Sequence, residues 1–302
     1  MTIQTEKMMK FPLVLTAIAL GAGLSGHAAE YGPQNGTLVI QGGGSAEDTG
    51  IMETFINYAG GLGAKIIVVP TAAGNRTSDG KIIVFDEVKV LEPWKKLGAT
   101  NVHMLHTHDP KIADTEDFAK TLRDAKGVWF DGGRQWNIVD SYAHTLTEKE
   151  FHNVLERGGV IGGSSAGATI QGDYLVRGAI AGPEIVMTPE PEHEHGFAFL
   201  RKSAIDQHIN TRNRWDDIIP VIKKYPDLLG IGISEGTAIV VHGDTFQVIG
   251  KWKVAVHDNH RVYQPWEKPY YVLSPGDVYN MSSRTVEKYG TGVLEPAKIE
   301  TK

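Results

Sequence analysis

Short, unbroken apolar runs alternating with amphipathic stretches set the rhythm of the first 185 residues. Gly36-Thr37-Leu38-Val39-Ile40, Ala64-Lys65-Ile66-Ile67-Val68-Val69, Asn101–Leu105, Gly127-Val128-Trp129-Phe130 and Gly159-Val160-Ile161 read as strands. Most are too continuously apolar to show an inside-outside alternation, as expected of strands covered on both faces. Between them, Ile51–Tyr58, the stretch holding Val88, Leu91 and Leu97, Phe118–Ala125, Trp136–His144 and Glu148–Arg157 read as helices. Strand and helix in turn predict an α/β fold, a mostly parallel sheet with helices on both faces. Sites in such sheets form at the C-terminal strand ends. The loops Gly42–Ser45, Thr71–Gly74, Asp131–Gln135 and Ser164–Gly167 are therefore expected to converge.

Beyond residue 185 the pattern changes. Met187–His195 is a loop rich in Pro, Glu and His, Lys202–Gln207 reads as a strand, and Asp216–Lys224 as a helix. Gly230–Ile233, Thr237–His242, Thr245–Ile249 and Val254–Asp258 read as strands joined by tight turns such as His242-Gly243-Asp244, an antiparallel C-terminal extension. There is no internal repeat and no low-complexity linker, so residues 29–302 are expected to form one domain.

The first residues follow a different logic. Lys7 and Lys10 precede the apolar run Phe11–Leu24, and Gly26-His27-Ala28 offers small residues for cleavage. The run is too short and too Gly-rich to stay in a bilayer as a span. Residues 1–28 read as a signal peptide, which implies a periplasmic or secreted protein without stable membrane insertion. The chain has no cysteine, which excludes disulfides, a thiol nucleophile and thiolate metal sites. A net charge of −6 over 302 residues, with no basic stripe, argues against nucleic acid as a partner.

The densest chemical signal is Val160-Ile161-Gly162-Gly163-Ser164-Ser165-Ala166-Gly167-Ala168. A strand that turns into a helix within two residues needs small neighbours, because the turn residue sits in strained backbone space. That is the physics of a nucleophile elbow, with Ser165 at its apex. Such turns also bind phosphate or simply bring a helix close to a sheet, so the elbow needs a downstream base and acid. His208, at a strand end, competes with the loop histidines of Glu192-His193-Glu194-His195. A strand end holds an imidazole more rigidly, which favours His208. Glu235, between two apolar strands, competes with Glu184 as the orienting acid.

Four segments in order, Phe130-Asp131-Gly132-Gly133-Arg134-Gln135, Gly162–Ala168, Asp206-Gln207-His208 with Arg212 and Arg214, and Gly230–Ala238, resemble the cyanophycinase and aspartyl dipeptidase family of serine peptidases. The resemblance covers about residues 36–258. It implies a flavodoxin-like, class I glutamine amidotransferase-like α/β fold and a triad of Ser165 as nucleophile, His208 as base and Glu235 as acid. It further implies oxyanion donors at Gly133 and Ala166, a substrate pocket lined by Gln135, Asp206, Gln207, Arg212 and Arg214, and neither cofactor nor metal. The implied reaction is hydrolysis of cyanophycin, a poly-aspartate bearing β-linked arginines, to β-Asp-Arg dipeptides. A homodimer is compatible with the family.

This chain departs from the cyanophycinase pattern at Asp131, Arg134, Asp217 and Ser234, where that family carries Thr, Asp, Arg and Asp respectively. Each change alters charge or hydrogen bonding at the pocket, which opens the alternative of an Asp-X or isoaspartyl exopeptidase. A catalytically silent peptide-binding protein is the alternative of another class. Two further clusters have bland readings. Glu190-Pro191-Glu192-His193-Glu194-His195 is expected to be a lid or acidic wall rather than a metal site. Gln41-Gly42-Gly43-Gly44-Ser45 lacks the glycine spacing and acidic partner of a dinucleotide loop.

Overall fold

The computed structural model describes residues 28–74, 81–291 and 298–299. The expected signal peptide, Ala28 apart, lies outside the described residues. In the first half, β1 (Thr37–Gln41), β2 (Ile66–Val69), β3 (Val102–Met104), β4 (Gly127–Phe130) and β5 (Val160–Ser164) alternate with helices. These helices are α1 (Ile51–Ala59), α2 (Glu87–Lys96), α3 (Pro110–Ala113), α4 (Glu116–Ala119), α5 (Gln135–Tyr142) and α6 (Leu146–Glu156). A one-turn helix α7 (Ala166–Thr169) and β6 (Gly172–Tyr174) follow, then β7 (Leu200–Gln207), α8 (Ile219–Lys224) and β8 (Leu229–Ile233). The chain continues through β9 (Thr237–His242), β10 (Thr245–Gly250), β11 (Val254–His257), β12 (Tyr271–Leu273), β13 (Val278–Asn280) and β14 (Thr285–Lys288).

Nine strands form one sheet in the order β14-β13-β10-β9-β1-β5-β4-β2-β3. Its β1-β5-β4-β2-β3 half is parallel, and β1, β2 and β4 are buried along their whole length, as their unbroken apolar runs predict. From β9 outward the pairing is antiparallel. The α/β fold with an antiparallel extension is therefore present. Beside it, a second, five-stranded sheet runs β12-β11-β8-β7-β6, with β6, β7 and β8 parallel. One continuous apolar core draws on both sheets, joining Ile67, Phe130 and Ile161 to Ile205, Ile231 and Val254. On the other face of the nine-stranded sheet, Phe55, Trp94 and Trp129 pack edge to face at 5.1–5.7 Å between ring centroids.

Two pairings position the site. Gln41 of β1 lies opposite Ser164 of β5, so the Gly42–Ser45 loop and the β5–α7 turn leave the sheet side by side. In the second sheet Gln207 lies opposite Ile233, so His208 and the Ser234-Glu235-Gly236 connection also leave together. The chain then crosses to the first sheet, where Ala238 of β9 pairs with Gln41. That crossing brings the ends of four strands to one place.

The β5–α7 turn is closed by small residues. A Cβ added at Gly167 would sit 2.0 Å from the Phe130 carbonyl oxygen, and backbone offers no give there. Gly167→Ala is expected to destabilise the fold by about 1–3 kcal/mol through overpacking, read as a lowered midpoint in denaturant unfolding followed by tryptophan fluorescence.

Candidate active site

Ser165 has φ 58° and ψ −111°, a left-handed backbone state that costs a non-glycine residue about 1–3 kcal/mol. The surrounding bonds hold it there. Its N–H donates to the Gln41 carbonyl at 3.1 Å, and its own carbonyl accepts from Ala168 and Thr169 at 3.0 and 3.1 Å. The sharp turn expected from Gly163-Ser164-Ser165-Ala166-Gly167 is present, with Ser165 at its apex.

The Ser165 hydroxyl lies 2.7 Å from His208 Nε2, and His208 Nδ1 lies 2.5 Å from Glu235 Oε1. A carboxylate at Nδ1 fixes the proton on that nitrogen and leaves Nε2 to accept from the serine. The structure thus brings together Ser165, His208 and Glu235, three residues far apart in sequence. His208 also has a left-handed backbone, φ 58°, and its N–H donates to the Gly42 carbonyl at 2.8 Å. The Glu235 N–H donates to Asn210 Oδ1 at 2.9 Å. Glu184, the rival acid, is 83% exposed and pairs at 3.5 Å with Arg214 rather than with the imidazole.

The glycine loop after β1 has a clear role in this geometry. Gly43 has φ +104°, and a Cβ there would meet the His208 ring at 2.2 Å. A Cβ on Gly44 would come within 2.8 Å of Glu235 Oε2. Gln41 Nε2 donates to the carbonyls of Gly43 and Gly44 at 3.3 Å, and the Gly236 N–H donates to the Gly43 carbonyl at 2.9 Å. The loop is the wall against which base and acid are pressed. The sequence places this loop among those that converge at the strand ends; its contacts with the ring and the carboxylate come only from the fold.

Electrostatics match a general base. Burial lowers the pKa of His208 below its ordinary value, with Arg212 and Arg214 acting in the same direction and Glu235 opposing. Partial burial raises Glu235, but hydrogen bonds from His208 and Thr211 overcome this and hold its carboxyl below the usual carboxylate range. The imidazole is therefore neutral at neutral pH and able to accept a proton.

The remaining expected residues divide. Ala166 opens α7, so its N–H has no partner within the helix. The Gly132-Gly133 turn borders the nucleophile, since a Cβ on Gly132 would be 3.8 Å from Ser165 Oγ. Arg212 is exposed, whereas Arg214 is 3% exposed and donates weakly to Gln207 Oε1 at 3.4 Å. Gln135 and Asp206 have polar groups taken up inside the protein. Gln135 Nε2 donates to the Val176 carbonyl at 2.6 Å. Asp206 accepts from Arg177 Nε and Nη2 at 2.9 and 3.0 Å.

Arg177, only 1% exposed, was missed because a lone Arg after an apolar triplet carries no local signal. In the Glu190–His195 loop the two histidines face opposite ways: His193 is buried against Asp140 at 2.7 Å, while His195 is 73% exposed. Among the described residues no group of three or more His, Asp or Glu could hold a metal ion.

The profile of Peptidase family S51 matches residues 38–249. The chain belongs to that family. It is 27% identical over 277 residues to a cyanophycinase of Synechococcus elongatus, covering 85% of this chain and 83% of the relative. It is 28% identical over 233 residues to a cyanophycinase of Geminocystis herdmanii, covering 74% and 81%. The crystal structure of a peptidase from an acI-B1 Actinobacterium shares the fold, with TM-score 0.61 and 22% identity over 83% of this chain and 98% of that one. The protein is a serine-type peptidase, and the silent binding protein is set aside.

With the imidazole pKa lowered, the rate at which a fluorophosphonate labels Ser165 is expected to rise with pH along a limb centred below the ordinary 6.5. Arg212→Gln removes a charge that favours the neutral ring, so it is expected to move the limb to higher pH, less so in high salt.

Proposed function

We propose that this chain is an exported exopeptidase that cleaves beside aspartyl residues through an acyl-enzyme on Ser165. The observation that carries the proposal is the unbroken relay from Ser165 through His208 to Glu235 on a strained elbow. Ser165 gives its proton to His208 Nε2 as its oxygen adds to the substrate carbonyl carbon. The negative oxygen that develops is held by the N–H groups of Gly133 and Ala166. His208 then passes the proton to the leaving amine, and water repeats the cycle on the ester. Glu235 orients the ring and stabilises its cationic form.

Two substrate readings follow. The name carried by the curated relatives favours cyanophycin, with release of β-Asp-Arg. The engagement of Asp206 by Arg177 favours the second reading, a short Asp-X or isoaspartyl peptide, because an acid already bound to an internal guanidinium is not free for a substrate arginine. Export rests on the Lys7–Ala28 pattern.

Digestion of cyanophycin and of an isoaspartyl dipeptide library, with products identified by mass spectrometry, tests the reading. Ser165→Ala is expected to lower kcat by about 10⁴-fold or more, and an equally active variant would end the acyl-enzyme proposal. Glu235→Gln is expected to cost about 10²–10⁴-fold, whereas Glu184→Gln stays within a few-fold. A mature periplasmic form beginning near residue 29 is expected by intact-mass measurement; a retained N-terminus there would remove the export proposal.

A further inference from the structure

The side of the site next to His208 carries an unusual balance of charge. Arg177 bridges two acids: it forms a forked pair with Asp206 and donates from Nη2 to Asp217 at 2.6 Å. Its Nη1 donates to the Pro183 carbonyl at 2.6 Å. Both oxygens of Asp206 and one oxygen of Asp217 are thereby engaged by the protein's own guanidinium. Arg134 and Arg214 lie within electrostatic range of Arg177, and Arg212 within range of Arg214. Their remaining counter-charge is Glu184, which is exposed and only 3.5 Å from Arg214 at its nearest.

Both flanking arginines have donors left over. Arg134 Nη2 donates to the Ala179 carbonyl at 2.6 Å, but its Nε is buried with no hydrogen-bond partner among the described residues. Arg214, 97% buried, has an Nη2 that makes no hydrogen bond among the described residues and faces only the exposed Glu184 carboxylate, at 3.5 Å. A buried guanidinium with an unmet donor is costly unless an anion completes it. Burial and the charge of Arg177 both push the pKa of Arg134 and Arg214 down, the direction that a bound anion would reverse. Asp131, on the same loop as Arg134, opposes with less than a full charge at neutral pH, since burial pushes its carboxyl up to about 7.

We infer that Arg177 is a built-in guanidinium that closes Asp206 and Asp217 to basic side chains, so that Arg134 and Arg214 form a subsite for a carboxylate-bearing side chain of the substrate. The inference rests on the peptidase reading above and refines it: the residue joined to the aspartyl group is acidic rather than arginine. Planar, forked donors suit a carboxylate. A substrate guanidinium at the same place meets like charge, with the buried Asp206 already paired inside the protein.

The test uses the full-length protein with three isoaspartyl dipeptides that differ only in the second residue, Glu, Ala or Arg. The expected order of kcat/KM is Glu above Ala above Arg, with about 10-fold or more between the extremes, the equivalent of one charge contact. Arg134→Glu, at a half-buried position that does not share the buried pair, is expected to invert that order. Arg177→Met with Asp206→Asn removes both partners of the forked pair together, and is expected to bring cleavage of the arginine peptide up relative to the glutamate peptide. Equal rates on all three peptides, or preference for arginine in the unmodified protein, would overturn the inference while leaving the peptidase reading intact. Failure to cut any peptide or cyanophycin, with Ser165 unlabelled by fluorophosphonate, would instead remove the reading on which it rests.

Discussion

Backbone pairing between strand ends is the constraint on which this site depends. Ser165, His208 and Glu235 come from three separate loops, and two of the strands feeding those loops belong to a different sheet from the third. Their meeting is decided by register: Gln41 opposite Ser164, Gln207 opposite Ile233, and Ala238 opposite Gln41. A slip of one residue in any of these pairings would reverse the facing of the strand and carry its loop away from the others. β1, β8 and all but the last residue of β9 are buried, so the packing of the core fixes their register, and the core thereby fixes the chemistry.

Strain is concentrated where the chemistry is. Ser165 and His208 both occupy left-handed backbone space, and each is tied by its N–H to the same short stretch, Gln41 or Gly42. The glycine loop thus serves three purposes through contact alone. It anchors nucleophile and base, leaves no room beside the imidazole, and backs the carboxylate. A side chain at Gly43 would demand both a displaced ring and an unfavourable φ, so the loop tolerates little change without any of its atoms taking part in bond breaking.

Charge near the site separates into two functions. The His208–Glu235 pair prepares a neutral base, and this part is common to serine hydrolases built on many folds. The Arg177–Asp206–Asp217 cluster is separate from this pair, and in it Asp206 is paired inside the protein. Replacing an open acid by an internally paired one changes which side chain can approach, with no change in the triad. Family membership therefore carries the reaction further than it carries the substrate.

Much of this was written locally. Unbroken apolar runs declared the parallel strands, and the Gly163–Gly167 spacing declared the elbow, because both follow from nearest-neighbour sterics. The strand ends before His208 and Glu235 were visible for the same reason. The second sheet was not, because β6 and β12 are three residues long and too short to show a period. Nor could the sequence say that Gly43 faces an imidazole, that His193 turns inward while His195 turns out, or that Arg177 finds Asp206 29 positions away. Local sterics and hydrophobic period are properties of adjacent residues and survive in a linear string. Which distant charges become neighbours depends on how the sheets pack, and only the folded chain holds that information.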